Sequence, residues 1–396
     1  MSAITSSVML AQTTGLVQFN GGGTQYVVSA SNGALYAFFV DTASDIRYKC
    51  SFNNGTTWST ASTFSGAQTI TQLSVWYDGW SGINDGHIHV AWVDSVLDDV
   101  VYKQLNTVGN TTSSAVIAST ALSTAANGAL SICRARGGML YIAWNIDGGT
   151  ETFFVTSSNT GSTWGTGSNP NEASTDSYIL MPGYNADAND MHLYFWDHSA
   201  NEISVKRYDA SADSWAETSI TASMVEQLQS VAFPHFAAFP DLDNSRNVLA
   251  AWSAVDTANA RLSCWTVDDT TSTKLTDIVP LSVDDQGLVA LGVDKGVTPN
   301  VWYAFYGGKT DGSEVYLTDI NIYYKTSSDA GSTWGSETRL TDPNISTDIT
   351  WMVCTPIFNT QFNVLYHNDA AIDELHISQY IATTAASSTG GSITFS

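Results

Sequence analysis

His87-Ile88-His89 sets two imidazoles on one face of an expected strand. A metal site there would need a third ligand, and Asp85 is the only obvious local one. Such alternation is common in strands, so the pair reads first as ordinary structure. Trp76-Tyr77-Asp78-Gly79-Trp80 packs three aromatics into a five-residue turn. If exposed, Trp76, Tyr77 and Trp80 could stack on sugar rings through their apolar faces. The favoured reading is packing over the end of a sheet or against a protein partner. Arg134 and Arg136, two residues apart, could clamp a carboxylate with their planar forks or neutralise acidic neighbours. The loops Asp94 to Asp99 and Asp311 to Asp319 could hold Ca²⁺, although the twelve-residue calcium-loop pattern is missing. No other cofactor is expected. Cys50, Cys133, Cys264 and Cys354 are far apart, without a CxxC pair, and read as buried free thiols. There is no phosphate-binding glycine-rich motif and no Gly-x-Ser-x-Gly elbow.

Composition narrows the classes. Across 396 residues, 14 basic side chains face 38 acidic ones, for a formal charge of -24, yet only 13% of residues are charged. Basic residues are scarce rather than carboxylates abundant. A chain this acidic repels phosphate, which argues against nucleic acid and anionic membranes as partners. With 43% hydrophobic residues it can bury a sizeable core. No apolar run approaches the roughly 20 residues of a spanning helix, so membrane insertion is not expected. Met1 to Gln12 carries neither a basic n-region nor a long apolar h-region, so no secretory signal is expected.

The elements that must position these residues repeat. An apolar run ending in an aromatic recurs at Phe39, Trp92, Trp144, Trp196, Trp252, Phe305 and Tyr366, at spacings of 52 to 61 residues. Each copy is flanked by further β-branched and aromatic runs and by Gly, Asn, Asp and Ser turns. No stretch keeps a helical period. Four short strands per unit is the signature of a β-propeller, and seven units predict an all-β, seven-bladed ring of four-stranded antiparallel blades over residues 1–382. The segment Leu16 to Asn20 is expected to close the ring beside Glu374 to Ile381. The Ser/Thr/Gly-rich tail, residues 383–396, is expected to be pinned against a partner chain.

A sharper motif occurs three times between third and fourth strands. It reads Ser51-Phe52-Asn53-Asn54-Gly55-Thr56-Thr57-Trp58, Ser157-Ser158-Asn159-Thr160-Gly161-Ser162-Thr163-Trp164 and Ser327-Ser328-Asp329-Ala330-Gly331-Ser332-Thr333-Trp334. A degenerate fourth spans Asp209 to Trp215. Asn53, Asn159 and Asp329 can bond backbone N–H groups of their own turn, while Gly55, Gly161 and Gly331 supply a positive φ. Trp58, Trp164 and Trp334 bury a ring between layers. The motif resembles the Asp-box, or BNR repeat, of sialidase-like propellers. There it stabilises hairpins on the rim opposite the active-site face, so it speaks for fold and not for catalysis.

That resemblance implies three arginines around a substrate carboxylate, a Tyr/Glu nucleophile pair and an Asp acid/base. The chain has seven arginines, and only Arg134 and Arg136 fall on an expected innermost strand. The triad is therefore not expected. The loops between second and third strands, on the usual binding face, are acidic: Asp41, Asp45, Asp94, Asp98, Asp99, Asp311, Glu314 and Asp319 among them. Such a face repels sialic acid and suits a neutral glycan, a cation or a basic partner surface. The insertion Gly307 to Asn321 is its largest loop and a candidate contact element.

The expected function is a non-catalytic binding or assembly module. Its Ser/Thr/Gly/Ala-rich, Lys-poor composition resembles that of bacteriophage virion proteins, which implies a capsid-decorating or tail component. Such a component would be extracellular after lysis, would meet other chains of an assembly, and could contact host glycans. The alternatives are a glycoside hydrolase acting on a neutral glycan through two carboxylates, and a free lectin.

Overall fold

The computed structural model describes residues 7–12 and 26–381, apart from 67–68, 121–128, 146–151, 171–177, 186, 198–201, 220–235, 257–258, 283–287, 310–320, 342–348, 359–360 and 369–373. Seven antiparallel sheets follow one another around a ring. Blades 1 to 6 span 27–63, 70–119, 130–166, 178–219, 236–282 and 289–339; blade 7 joins 349–381 to the N-terminal strand Ser7–Gln12. The chain is a seven-bladed β-propeller, as the repeat predicts. Short fifth strands are added in two blades, Thr111–Thr112 in blade 2 and Ile357–Phe358 lying parallel to the inner strand of blade 6.

Ring closure differs from expectation in one respect. The outermost strand beside Glu374–Ile381 is Ser7–Gln12, with Ser7 opposite Ser378. It too is a strand-length run with apolar Val8-Met9-Leu10 at its centre. Leu16 to Asn20 and the tail 383–396 lie outside the described residues.

The second strands explain the repeated aromatic run. Leu35–Val40 is buried at every position. A strand covered on both faces by neighbouring blades needs a continuous apolar sequence rather than alternation. Trp92, Trp144 and Trp252, in the equivalent strands, are almost fully buried.

Polar devices fasten blade to blade. Inner strands leave N–H groups open towards the channel, and serine hydroxyls take some of them: Ile132 N donates to Ser74 Oγ at 3.0 Å and Leu180 N to Ser131 Oγ at 3.0 Å. Third-strand lysines do the converse. Lys103 Nζ donates to Phe64 O at 2.6 Å, Lys325 Nζ to Ile278 O at 2.8 Å, and Lys206 Nζ to Pro170 O, each reaching back to the preceding blade. Part of the small stock of cations is thus spent inside the ring.

The three Ser-x-Asx turns share one bond pattern. The serine hydroxyl accepts from the glycine N–H at 2.8, 2.9 and 2.8 Å, and the Asx oxygen accepts from the threonine N–H at 2.9, 2.9 and 2.8 Å. Gly55, Gly161 and Gly331 have φ of +84°, +85° and +93°. Each also abuts the preceding blade: a β-carbon at Gly331 would lie 2.7 Å from Cys264 Sγ, and one at Gly161 would overlap the Tyr102 ring. Gly33, at φ +81°, faces open space. Gly33→Ala is therefore expected to cost only the backbone penalty of about 1 kcal/mol. Gly161→Ala is expected to exceed it by roughly 1–2 kcal/mol from overpacking, read as a difference in denaturant midpoints. Equal losses would show that the turn does not press on blade 2.

Candidate functional site

The loops joining first to second strands and third to fourth strands emerge on one face, the turn face. Of the opposite face, Asp311, Glu314, Asp319 and most other acidic loop residues lie outside the described residues. Among those described, Asp41 and Asp45 pair with Arg47 at 2.6 and 3.2 Å. Asp94 is buried and caps its own turn, accepting from Val96 N and Leu97 N. Burial, then the neighbouring charges of Asp94 and Asp98, raises the Asp99 carboxyl above its usual range.

The aromatic turn sits where blade 2 meets the channel. Its strands, Ile70–Tyr77 and His87–Asp94, are joined through a short 3-10 turn at Asp78–Trp80. Trp76, Tyr77 and Trp80 are all buried. Trp80 packs edge-on against Trp76 and Tyr77, each at 5.6 Å, and against Phe239 at 5.9 Å. Phe239 belongs to the inner strand of blade 5, which is not adjacent to blade 2 in the ring. Trp80 therefore crosses the channel and plugs it at the turn face. The rings that could have been an open sugar platform are mainly structural.

Beside the plug lies a cavity of about 440 Å³ between the turn ends of blades 7, 1 and 2. Asn54, Asn84 and Asn363 line it with Tyr77, Trp80 and Phe358, and among the described residues no charged side chain does. The Tyr77 hydroxyl ties its wall together, accepting from Ser31 N at 2.9 Å and lying 3.0 Å from Ser31 Oγ and 3.2 Å from Asn84 Oδ1.

Arg134 and Arg136 diverge. Arg134, at the end of Leu130–Arg134, turns to blade 2: its Nη1 is 2.9 Å from both Asp85 oxygens and 3.4 Å from Asp78 Oδ2. Arg136 is not on the strand but in the turn after it, where alternation no longer applies. It donates to Gly183 O and Asn185 O and stacks over Tyr184. The other arginines are also engaged: Arg47 with Asp41, Arg207 with Asp268 O, Arg246 with Asp241, Arg261 with Asp277 and Arg339 with Asn321. No two of the seven share one of these partners.

The two histidines also part ways. His87 Nδ1 lies 2.9 Å from Asp85 Oδ1, while His89 Nδ1 meets the Tyr102 hydroxyl at 2.7 Å in the core. Burial, then the Arg134 and His87 charges, holds His89 well below the usual imidazole range. Asp78, Asp85 and His87 bring ligand atoms within 4.8 Å of one another. The Arg134 guanidinium already serves both carboxylates, so a metal would have to compete with it. All four cysteines are buried and unpaired; burial pushes Cys264 up to about 12, which leaves it an inert thiol.

Sequence reasoning missed Asn84, Asn363, Phe358 and Ser31. Single residues in turns and strands of three different blades carry no local signal that they converge.

No protein-family model and no curated protein matches this chain. Among solved structures it is similar to the Hadza microbial sialidase Hz136, at 14% identity and TM-score 0.49, over 90% of this chain and 64% of that one. It is also similar to the NanB sialidase of Streptococcus pneumoniae, at 13% identity and TM-score 0.46, over 94% and 70%. A third is the Aleuria aurantia lectin in complex with α-methyl-L-fucoside, at 12% identity and TM-score 0.46, over 79% and 91%. The chain spans less than two thirds of the length of Hz136.

Proposed function

We propose that this propeller is a non-catalytic binding and assembly module whose ligands are neutral glycans, carried on a virion surface. One observation bears most of the weight: each of the chain's seven arginines is engaged by a local partner, which leaves none set aside to clamp an anionic sugar. The net charge of -24 works in the same direction by repelling sialic acid. The virion assignment rests on composition, Lys-poor and rich in small polar residues. The Asp-box reading of the three Ser-x-Asx turns belongs to the same proposal, as rim hairpins without a catalytic part.

The test pairs activity with binding. Purified protein is expected to release no fluorophore from sialosides or neutral glycosides, and to retain neutral rather than sialylated glycans on an array. Turnover of any neutral glycoside would favour the hydrolase instead. Binding confined to sialylated glycans would overturn the reading. An assembly role further requires a partner contact of at least about 1,000 Å², observable in particles that contain the protein.

A further inference from the structure

We infer that the cavity between blades 7, 1 and 2 is the seat of a neutral, hydroxyl-rich ring of the hexopyranose class. The inference rests on the proposed glycan-binding reading and places its ligand on the turn face rather than the acidic face. Its volume, about 440 Å³, falls within the roughly 300–1,000 Å³ of small-molecule sites. On a chain of charge -24, a lining without Asp, Glu, Lys or Arg among the described residues selects against ions of either sign. Three asparagine amides among the lining residues supply both donors and acceptors, the complement of a ring bearing several hydroxyls.

Behind the lining, Asn363 Oδ1 and Trp80 Nε1 are sealed from solvent and have no hydrogen-bond partner among the described residues. Tyr77, Trp80 and Phe358, each at most 3% exposed, give the cavity a packed apolar floor. The site is preorganised, because the Tyr77 hydroxyl joins Ser31 of blade 1 to Asn84 of blade 2.

The test is saturation-transfer NMR of the full chain against methyl glycosides of glucose, galactose, mannose, fucose and N-acetylglucosamine, with N-acetylneuraminic acid as the anionic comparison. Ser31 and Asn84 are exposed at the cavity wall. Ser31→Phe, which fills the mouth, is expected to weaken binding of the preferred glycoside at least about tenfold. Asn84→Asp, which removes an amide donor and adds a charge, should weaken it several-fold. Asp98→Asn on the opposite face should change nothing, and melting temperatures confirm that each variant is folded. Binding that survives both Ser31→Phe and Asn84→Asp would overturn the seat while leaving the proposed function standing. No binding of any neutral glycoside by the unaltered chain would overturn both.

Discussion

Trp80→Ala is expected to lower folding stability by about 3–5 kcal/mol, the usual cost of emptying a buried tryptophan site. The indole is almost fully buried and joins the turn after the inner strand of blade 2 to the inner strand of blade 5. Removing it deletes the edge contacts to Trp76, Tyr77 and Phe239 and opens the channel into the neighbouring cavity. Its Nε1 makes no hydrogen bond in the structure, so the loss is one of packing rather than of a bond. Trp80→Phe, which keeps an aromatic edge near Phe239, should cost less. Guanidinium titrations of the two variants measure both effects. A loss below about 1 kcal/mol for Trp80→Ala would show that the plug bears little load.

Arg134→Met is expected to be comparably damaging, at about 3–5 kcal/mol, for an electrostatic reason. The Asp78 side chain is fully buried, and Arg134, 6% exposed, is its cationic partner. Asp78 Oδ2 also accepts from His87 N at 2.9 Å, whereas Oδ1 has no partner. Without the guanidinium, a buried carboxylate is left with one backbone donor and no opposite charge except His87 at 3.8 Å. Asp85 matters less, because it is 41% exposed and water can replace its partner. The double variant Asp78→Asn, Arg134→Met should recover much of the loss, since it removes both charges together. A double-mutant cycle in urea reads the coupling directly, and additive losses would refute it.

Much of the architecture was legible without coordinates. The second strands Leu35–Val40, His87–Asp94, Leu140–Asn145 and Val301–Gly307 carry Phe39, Trp92, Trp144 and Phe305, four of the aromatics that mark the repeat. They could be read because a strand sandwiched between blades advertises itself as a continuous apolar run. The closing strand was misplaced because Val8-Met9-Leu10 and Leu16-Val17 are equally apolar, and only pairing with Glu374–Ile381 distinguishes them. Arg134 and Arg136 looked equivalent because alternation treats them alike. The strand ends at Arg134, so Arg136 faces blade 4 instead.

The repeat, the all-β class, the blade number and the Ser-x-Asx turns are local properties, written within stretches of about fifty residues. The Trp80 plug, the Asp78–Arg134 pair and the uncharged cavity arise only when the ring closes. Closure brings Trp80 to Phe239, and Asn84 to the same cavity wall as Asn363. No periodicity in a chain encodes which turns of blades 7, 1 and 2 will face one another, because that juxtaposition follows from the closed circle. The charge of -24 belongs to the sequence; that it leaves one cavity neutral belongs to the fold.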